Sequence, residues 1–267
     1  MELLDGISLA VVDLETTGLS PRYGDRICEI AVLRVEGDRE QTFESLVNPG
    51  RPISPGAAAV HGITRDELEP APSFQALAPS IWPLFDGAVL VAHNAPFDLS
   101  FLAAERHYLG LPPLDNPVLD TLALARTYFD FPRNSLGFVA EALAISPTAR
   151  HRAMADVRTT LSVAHRLLED LGGRGLASIH PLLCPATELV RDDPPPLPSA
   201  IVDALDGRRR LRLRYLTGGF IETVREVEPL EILPFGDYLY LRAYCHLRQD
   251  ERTFRLDRIL EMTAPSE

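Results

Sequence analysis

Lysine is absent from this chain of 267 residues, so arginine supplies all 26 basic side chains, against 38 aspartates and glutamates. The formal net charge of −12 argues against a protein that coats nucleic acid through bulk charge, because such binding depends on neutralising phosphates with basic side chains. It does not exclude a nuclease. A site that gathers carboxylates for metal ions adds negative charge of its own, and the bound ions then attract phosphate.

Cysteine and long apolar runs are also scarce. The three cysteines, Cys28, Cys184 and Cys245, are widely spaced and form no Cys-x-x-Cys pair, so the sequence indicates neither a disulfide framework nor a zinc site. No segment approaches the roughly 20 consecutive apolar residues of a membrane helix, and the N-terminal stretch carries acids where a secretory signal would carry bases. We therefore expect a soluble globular protein of the cytoplasm.

The first two thirds of the sequence predict an α/β domain. The segment ISLAVVDLETTG is a β-branched apolar run that stops at a turn, and two further strand patterns, RICEIAVLRVEG and QTFESLVNP, are separated by a Gly-Asp turn. These strands predict an antiparallel meander, and the later alternation of helix and strand predicts a mixed sheet flanked by helices. The later elements are a helical region over 55–85, a strand in AVLVAHN, and helices around 97–109, 118–129, 135–144 and 153–171.

A proline run, RDDPPPLPS, interrupts this pattern and is typical of an extended spacer. We therefore predict a first domain over 1–172, a proline-rich linker over 173–198 and a second domain over 199–267. Alternating apolar residues in the second domain, such as Leu211 and Leu213, predict a small antiparallel sheet or barrel.

Several acidic residues lie at the ends of predicted apolar strands or at the starts of predicted helices. Asp13 and Glu15 are two residues apart on a predicted strand, so they share a face, and holding them close is costly without a cation. The alternative, in which Asp13 caps a turn and Glu15 is exposed to solvent, explains these two residues equally well. Asp98 falls in the first turn of a helix, where acids also complement the helix dipole. Asp156 begins the last long helix, and His151 is expected on the loop before it or at the frayed start of the helix, where an imidazole can act as a base near neutral pH.

Five segments carry a resemblance to a known family: DLETTGL, NPGRPISPGAAAVHGIT, HNAPFDLSFL, SLGFVAEAL and HRAMADV. In this order and with these gaps, residues 5–170 resemble the DEDDh family of proofreading-type 3′-to-5′ exonucleases, which have the ribonuclease H-like fold. The resemblance implies a mixed five-stranded sheet flanked by helices. It also implies that two divalent metal ions are held by Asp13, Glu15, Asp98 and Asp156, with His151 as the general base.

The resemblance implies the reaction and part of the substrate site as well. One metal ion activates a water that His151 deprotonates and the other stabilises the leaving 3′ oxygen, so the products are nucleoside 5′-monophosphates. Oxygen ligands favour Mg²⁺ or Mn²⁺ over zinc. The residues expected beside the 3′-terminal nucleotide are Thr16, Thr17, Leu19, His61, Asn94 and Phe97.

The second predicted domain resembles the WYL domain, a small Sm-like β-barrel. The resemblance is carried by the Tyr240-Leu241 pair, the following AYC and the segment RTFRLDRI, although the position of the family's tryptophan holds Leu239. Arginines here could form a basic face for nucleic acid or a nucleotide, whereas the neighbouring acids favour an ordinary solvated face. The candidate contacts are Arg242, Arg252, Arg255 and Arg258.

These patterns lead to one principal hypothesis and two alternatives. We expect a 3′-to-5′ exonuclease that acts on single-stranded or frayed DNA ends in DNA repair or proofreading, with nucleic acid as its partner and no role at a membrane. An RNA or oligonucleotide exonuclease would differ in its contacts to the 2′-hydroxyl, which the sequence does not display. A nucleotide-sensing regulator acting through the WYL-like domain is the third hypothesis, and the intact set of catalytic positions argues against it. The sequence identifies no polymerase or repair partner.

Overall fold

The protein forms two compact units in a computed structural model that describes residues 2–145, 152–190, 197–207, 209–217, 221–235 and 238–264. The first unit comprises Met1–Thr16, Ile27–Arg51 and Ala59–Arg191. The second comprises Thr17–Arg26, Pro52–Ala58 and Asp192–Glu267.

Six strands form the sheet of the first unit: β1 (Leu9–Thr16), β2 (Ile27–Glu36), β3 (Arg39–Leu46), β4 (Val89–Ala92), β5 (Pro117–Asp120) and β6 (Cys184–Pro185). Their order is β3-β2-β1-β4-β5-β6. The first three strands are antiparallel neighbours, whereas β4 runs parallel to both β1 and β5. The predicted meander and mixed sheet are confirmed. The sheet has six strands rather than the expected five because the short β6 pairs with β5.

The helices before the second sheet are α1 (Pro55–His61), α2 (Arg65–Leu68), α3 (Phe74–Phe85), α4 (Ala95–Tyr108), α5 (Thr121–Tyr128), α6 (Leu136–Ala142), α7 (Ala153–Gly173) and α8 (Ala186–Leu189). Residues of α3, α4 and α8 pack on one face of the first sheet, and residues of α5, α6 and α7 pack on the other. The region predicted as helical over 55–85 is three helices, because Gly62 adopts a left-handed conformation after α1 and Thr64 starts α2 with a capping box. Among the described residues, none of the helices has the length and apolar character needed to span a membrane.

The helix predicted over 118–129 begins later than expected. Val118 and Leu119 are buried in β5, where a short apolar run pairs with β4. The side chain of Asp120 then accepts a hydrogen bond from the amide of Leu122 at 2.9 Å and caps α5. A four-residue strand joined directly to a helix therefore replaces the first turn of the predicted helix.

Strand β1 lies in the middle of the sheet and is buried on both faces. Ala10, Val12 and Leu14 belong to one hydrophobic core, which contains residues of α3 and α4. Leu9 and Val11 belong to a second core, which is built mainly on α7. Since side chains alternate across a strand, Asp13 and Glu15 continue the row that faces α7.

The first unit extends into the segment that the sequence analysis assigned to a linker. Strand β6 pairs with β5, Ala186 of α8 is fully buried in the first core, and Ile179 is fully buried in the second. Apolar burial therefore orders part of 173–198. The domain boundaries at 172 and 199 stay predictions.

The second unit contains α9 (Ser199–Gly207) followed by the strands β7 (Leu211–Leu216), β8 (Glu222–Phe235), β9 (Tyr238–Cys245), β10 (Asp250–Arg255) and β11 (Ile259–Thr263). These strands form an antiparallel sheet in the order β10-β9-β8-β7-β11. Its core combines Ile201 and Ala204 of α9 with inward-facing strand residues such as Leu213, Leu241 and Ala243. The predicted small antiparallel sheet is confirmed.

Candidate metal-binding and catalytic site

The carboxylates of β1 meet the start of α7. Asp156 lies in the first turn of that helix, on the side of the sheet that Asp13 and Glu15 face. One carboxylate oxygen from each of these three residues lies within 4.8 Å of the other two. Oxygen ligands of one divalent ion, at about 2.1 Å from it, are separated by roughly 3 to 4 Å, so a small movement suffices to form the site.

Asp98 adds a fourth acid from α4. This helix begins directly after Asn94, whose backbone is left-handed with φ of 73°, and Pro96 occupies its first turn. Asp98 is only 4% exposed. Burial raises its pKa well above the usual range, whereas the backbone amides of Asp98 and Leu14 lower it. The charge of Asp98 also raises the pKa of Asp13.

Burial and mutual repulsion govern the charge state of the β1 pair. The pKa of Asp13 lies well above its usual range, first because the group is buried and then because of Asp98 and Asp156. Burial and the charge of Asp156 raise the pKa of Glu15 to about 7. The ionised set is unfavourable until a cation compensates it. Its donors are all carboxylate oxygens, which fit a hard divalent ion.

Glu29 and Arg152 form an ion pair beside these acids that the sequence analysis missed. Glu29 lies on β2 directly opposite Glu15 and is 1% exposed. It accepts hydrogen bonds from Arg152 Nε at 3.0 Å and Nη2 at 2.8 Å, and from the amide of Ala153 at 3.1 Å. These bonds tie the start of α7 to the sheet. Their only sequence signal is an acid inside the apolar run ICEIAVL.

The four acids line one cavity of about 490 Å³. Phe97, predicted to flank the substrate, lines it as well. The remaining lining residues include polar groups that the sequence analysis did not select, although most belong to the quoted motifs HNAPFDLSFL and SLGFVAEAL. They are Leu14, His93, Arg133, Ser135, Leu136, Gly137, Phe138, Glu141 and Thr159.

His93 is held rigidly at the wall of this cavity. Its Nδ1 lies 2.9 Å from the hydroxyl of Thr121, and its Nε2 lies 2.8 Å from the carbonyl oxygen of Asn134. Burial lowers its pKa, so the ring is neutral at pH 7. The two contacts therefore fix the orientation of the His93 ring at the cavity wall.

The other predicted substrate residues are not among the described residues that line the cavity. Thr16 is buried at the end of β1, Asn94 is exposed at the start of α4, and Leu19 is 87% exposed. Thr17 is 1% exposed and donates a hydrogen bond to Asp25 at 3.2 Å. His61 is also buried, and its Nδ1 accepts from the amide of Ile63 at 3.0 Å. The exposure of Leu19 is compatible with a contact to substrate.

His151, the predicted general base, lies outside the described residues. The structure does describe the next residue, Arg152, together with its bonds to Glu29. The residue that follows His151 is therefore held by Glu29, which lies opposite Glu15 in the sheet.

The predicted basic residues of the second unit differ in their environments. Arg242 pairs with Glu251 at 3.1 Å and also with Glu231. Arg252 is 56% exposed and lies 3.5 Å from Asp250. Arg255 and Arg258 are half-buried. The four arginines thus do not form one uniform basic face.

Comparison with known families and proteins gives two matches along the chain. Residues 10–164 match the model of the exonuclease family RNase_T, and residues 196–264 match the model of the WYL domain. The DNA polymerase III subunit epsilon-like protein of Rhodobacter capsulatus is 41% identical over 186 residues, which are 67% of this chain and 26% of that protein. The 3′-5′ exonuclease DinG of Bacillus subtilis is 37% identical over 163 residues, which are 60% of this chain and 18% of that protein. The chain therefore spans about a quarter or less of these relatives.

Two solved structures share the fold. Exonuclease X in complex with 5′ overhanging duplex DNA is 28% identical, with a TM-score of 0.50 over 61% of this chain and 93% of that one. Product-bound exonuclease I is 17% identical, with a TM-score of 0.54 over 94% of this chain and 63% of that one. The expected ribonuclease H-like architecture is confirmed.

Proposed function

The chain belongs to the RNase_T exonuclease family, whose model matches more than half of its residues, and we propose that it is a metal-dependent 3′-to-5′ exonuclease. One observation carries this proposal. Carboxylate oxygens of Asp13, Glu15 and Asp156 converge within 4.8 Å, and Asp98 lines the same cavity. A set of buried acids without cations is electrostatically unfavourable, whereas the same set binds divalent ions and phosphate when metal is present.

The four acids share one role in this reaction. Asp13, Glu15, Asp98 and Asp156 would hold two Mg²⁺ or Mn²⁺ ions, which when bound would lower the pKa of a water and compensate charge at the leaving 3′ oxygen. His151 accepts the proton of the attacking water. Glu29 and Arg152 fix the start of α7 and hence the position of Asp156. The products are nucleoside 5′-monophosphates.

Two of the comparisons support DNA as the proposed substrate. The R. capsulatus relative is named as a DNA polymerase III subunit epsilon-like protein, and exonuclease X was solved with duplex DNA bearing a 5′ overhang. We propose that this chain acts on single-stranded or frayed 3′ ends, in DNA repair or proofreading. Phe97 supports this proposal, because an aromatic ring at the cavity wall can stack on an unpaired terminal base.

A comparison of two aspartate variants tests the proposal. Asp13→Asn removes one carboxylate charge from the cluster at nearly constant volume, and we expect it to slow release of a 3′ label from single-stranded DNA by at least on the order of a hundredfold. Asp5→Asn makes the same chemical change at an exposed position and is the matched control, with unchanged activity. Equal activity of Asp13→Asn and the control would show that the carboxylate cluster is not catalytic. RNA of the same sequence, assayed in parallel, measures the sugar preference.

A further inference from the structure

One arginine lies at the wall of the cavity that holds the carboxylate cluster. Five carboxylates belong to the described residues that line this cavity, and Arg133 is the one arginine among those residues. Its side chain is exposed, and within the described part of the chain no carboxylate lies within 4.0 Å of it. Glu141 and Asp156, which line the same cavity, therefore form no ion pair with Arg133. Its guanidinium is available to a ligand.

The backbone around Arg133 is held on both sides. Before it, the rings of Phe129 and Phe131 stack with their centroids 5.6 Å apart and pack against the second core. After it, the carbonyl oxygen of Asn134 accepts a hydrogen bond of 2.8 Å from Nε2 of His93. Because these contacts already order the segment, less conformational entropy is lost when the arginine binds a ligand.

A phosphate of the substrate strand is the group that this guanidinium fits. Guanidinium binds phosphate through two parallel hydrogen bonds. This inference rests on the proposed exonuclease function, in which the scissile phosphate lies at the metal ions and the 3′-terminal nucleoside carries no charge. The other anionic groups of the strand are the phosphates on the 5′ side. Since no described carboxylate lies within 4.0 Å of Arg133, the guanidinium lies beside the cluster and not within it.

We propose that Arg133 binds the phosphate immediately 5′ to the scissile one and so sets the position of the strand in the cavity. The hydroxyl of Ser135, which makes no capping bond at the start of α6, is a second donor on the same wall. This contact is made equally in the bound substrate and in the transition state, so it lowers KM and leaves kcat unchanged. It also offsets part of the repulsion between DNA and a chain with a formal net charge of −12.

Two fluorescent single-stranded oligonucleotides test this contact. They differ only at the second linkage from the 3′ end, which is a phosphodiester in one strand and an uncharged methylphosphonate in the other. We expect the wild type to bind the neutral strand about tenfold more weakly in Ca²⁺, by fluorescence anisotropy. In Mg²⁺ the neutral strand should raise KM by a similar factor and change kcat less than about threefold. Arg133→Gln should bind the charged strand about tenfold more weakly than the wild type does and should no longer distinguish the two strands.

The salt dependence of binding gives a readout that a purely structural role would not change. Loss of one phosphate contact to a single strand reduces the slope of log affinity against log salt by about 0.7, and we expect this change in Arg133→Gln. Arg133→Lys keeps the charge and should keep the slope, with weaker binding because the paired hydrogen bonds are lost. Arg166→Gln, at an exposed arginine of α7 that does not line the cavity, should match the wild type in affinity, slope and KM.

The outcomes separate this contact from the proposed function. Equal KM and equal affinity of the wild type for the two strands, or an Arg133→Gln variant that still distinguishes them, would overturn the contact and leave the exonuclease intact. A fall in kcat by the same factor on both strands in Arg133→Gln would place the guanidinium at the scissile phosphate and also overturn the contact. Absence of metal-dependent digestion by the wild type would refute the proposed function and this inference with it.

Discussion

Single carboxyl groups determine how the site responds to pH. The pKa of Glu15 is about 7 in the folded protein, against 4.5 for an ordinary glutamate, chiefly because the group is buried. A raised pKa means that the folded state binds a proton that the unfolded state releases. This contribution to stability is therefore fully present below pH 4.5 and is lost as the pH rises through about 7.

The metal-free protein should therefore become less stable between pH 5 and pH 8. We expect Glu15→Gln to reduce this slope and to raise the free energy of unfolding at pH 8 by up to about 3 kcal/mol, because it removes the buried charge. Denaturant unfolding in EDTA at several pH values measures both effects. Added Mg²⁺ should stabilise the wild type more at pH 8 than at pH 5.5. A stability that is flat with pH in both proteins would contradict the raised pKa.

Glu29 is a positioning residue in this account, and its replacement tests that role. Glu29→Gln removes the charge that holds Arg152 and weakens the bond to the amide of Ala153. We expect kcat to fall by about 10- to 100-fold, as for residues that orient metal ligands, and the free energy of unfolding to fall by about 2 kcal/mol. The acidic limb of the pH–rate profile should also move to lower pH, because the charge of Glu29 raises the pKa of Glu15.

A glutamate on the same strand provides the control for Glu29. Glu36→Gln makes the same chemical change in β2, at a side chain that is 48% exposed and paired with Arg34. It should leave kcat and the pH profile unchanged. If Glu29→Gln lost stability but kept its kcat and its pH–rate profile, Glu29 would have a structural role only.

Most residues of the carboxylate site, but not all, could be predicted from the sequence. Asp13, Glu15, Asp98 and Asp156 were selected from their motifs, and the structure brings all four to one cavity. Glu29 was missed because a buried acid in an apolar strand carries no motif of its own, and its partner Arg152 is 123 residues away along the chain. Long-range pairing of this kind is decided by the packing of α7 on the sheet.

Among the secondary-structure elements, the central strands were predicted well from their apolar sequence patterns. Strands β1 and β2 are long apolar runs, and the Gly-Asp turn before β3 fixes the meander. The short strands β5 and β6 were missed because their identity depends on neighbours that are distant in sequence. The same holds for the segment 173–191, whose apolar residues pack into the cores of the first unit.

Asp120 connects two of these elements and gives a test at this scale. Its Oδ1 accepts hydrogen bonds from the amide of Leu122 at 2.9 Å and from the amide of Asn94 at 3.0 Å. It therefore caps α5 and also holds the turn that leads into α4 and Asp98. Asp120→Ala should lower the free energy of unfolding by about 1 to 2 kcal/mol. Thermal or denaturant unfolding measures this loss.

An exposed aspartate serves as the comparison for Asp120. Asp130→Ala removes the same charge at a position outside these two bonds and should leave stability unchanged. If both variants lost the same stability, the capping role of Asp120 would be wrong. Activity should decrease in Asp120→Ala alone, because Asp98 follows the turn that Asp120 supports.

The net charge of the whole molecule affects its affinity for nucleic acid. With a formal net charge of −12, the protein repels a polyanion, and the acids of the site add to this repulsion. We therefore expect a fluorescent single-stranded oligonucleotide to bind at least about tenfold more tightly in Ca²⁺, used as a divalent ion in place of Mg²⁺, than in EDTA. Fluorescence anisotropy at constant ionic strength measures the difference. Equal binding under both conditions would place the main nucleic-acid contact away from the carboxylate cluster.

The most direct test of the central claim is the digestion of single-stranded DNA labelled at its 5′ end, followed over time on a sequencing gel. With Mg²⁺ or Mn²⁺, we expect labelled products that shorten one nucleotide at a time from the 3′ end, release of nucleoside 5′-monophosphates, and complete arrest by EDTA. Intact DNA in the presence of both metals would show that the protein is not a metal-dependent 3′-to-5′ exonuclease, as would immediate release of the 5′ label as a mononucleotide.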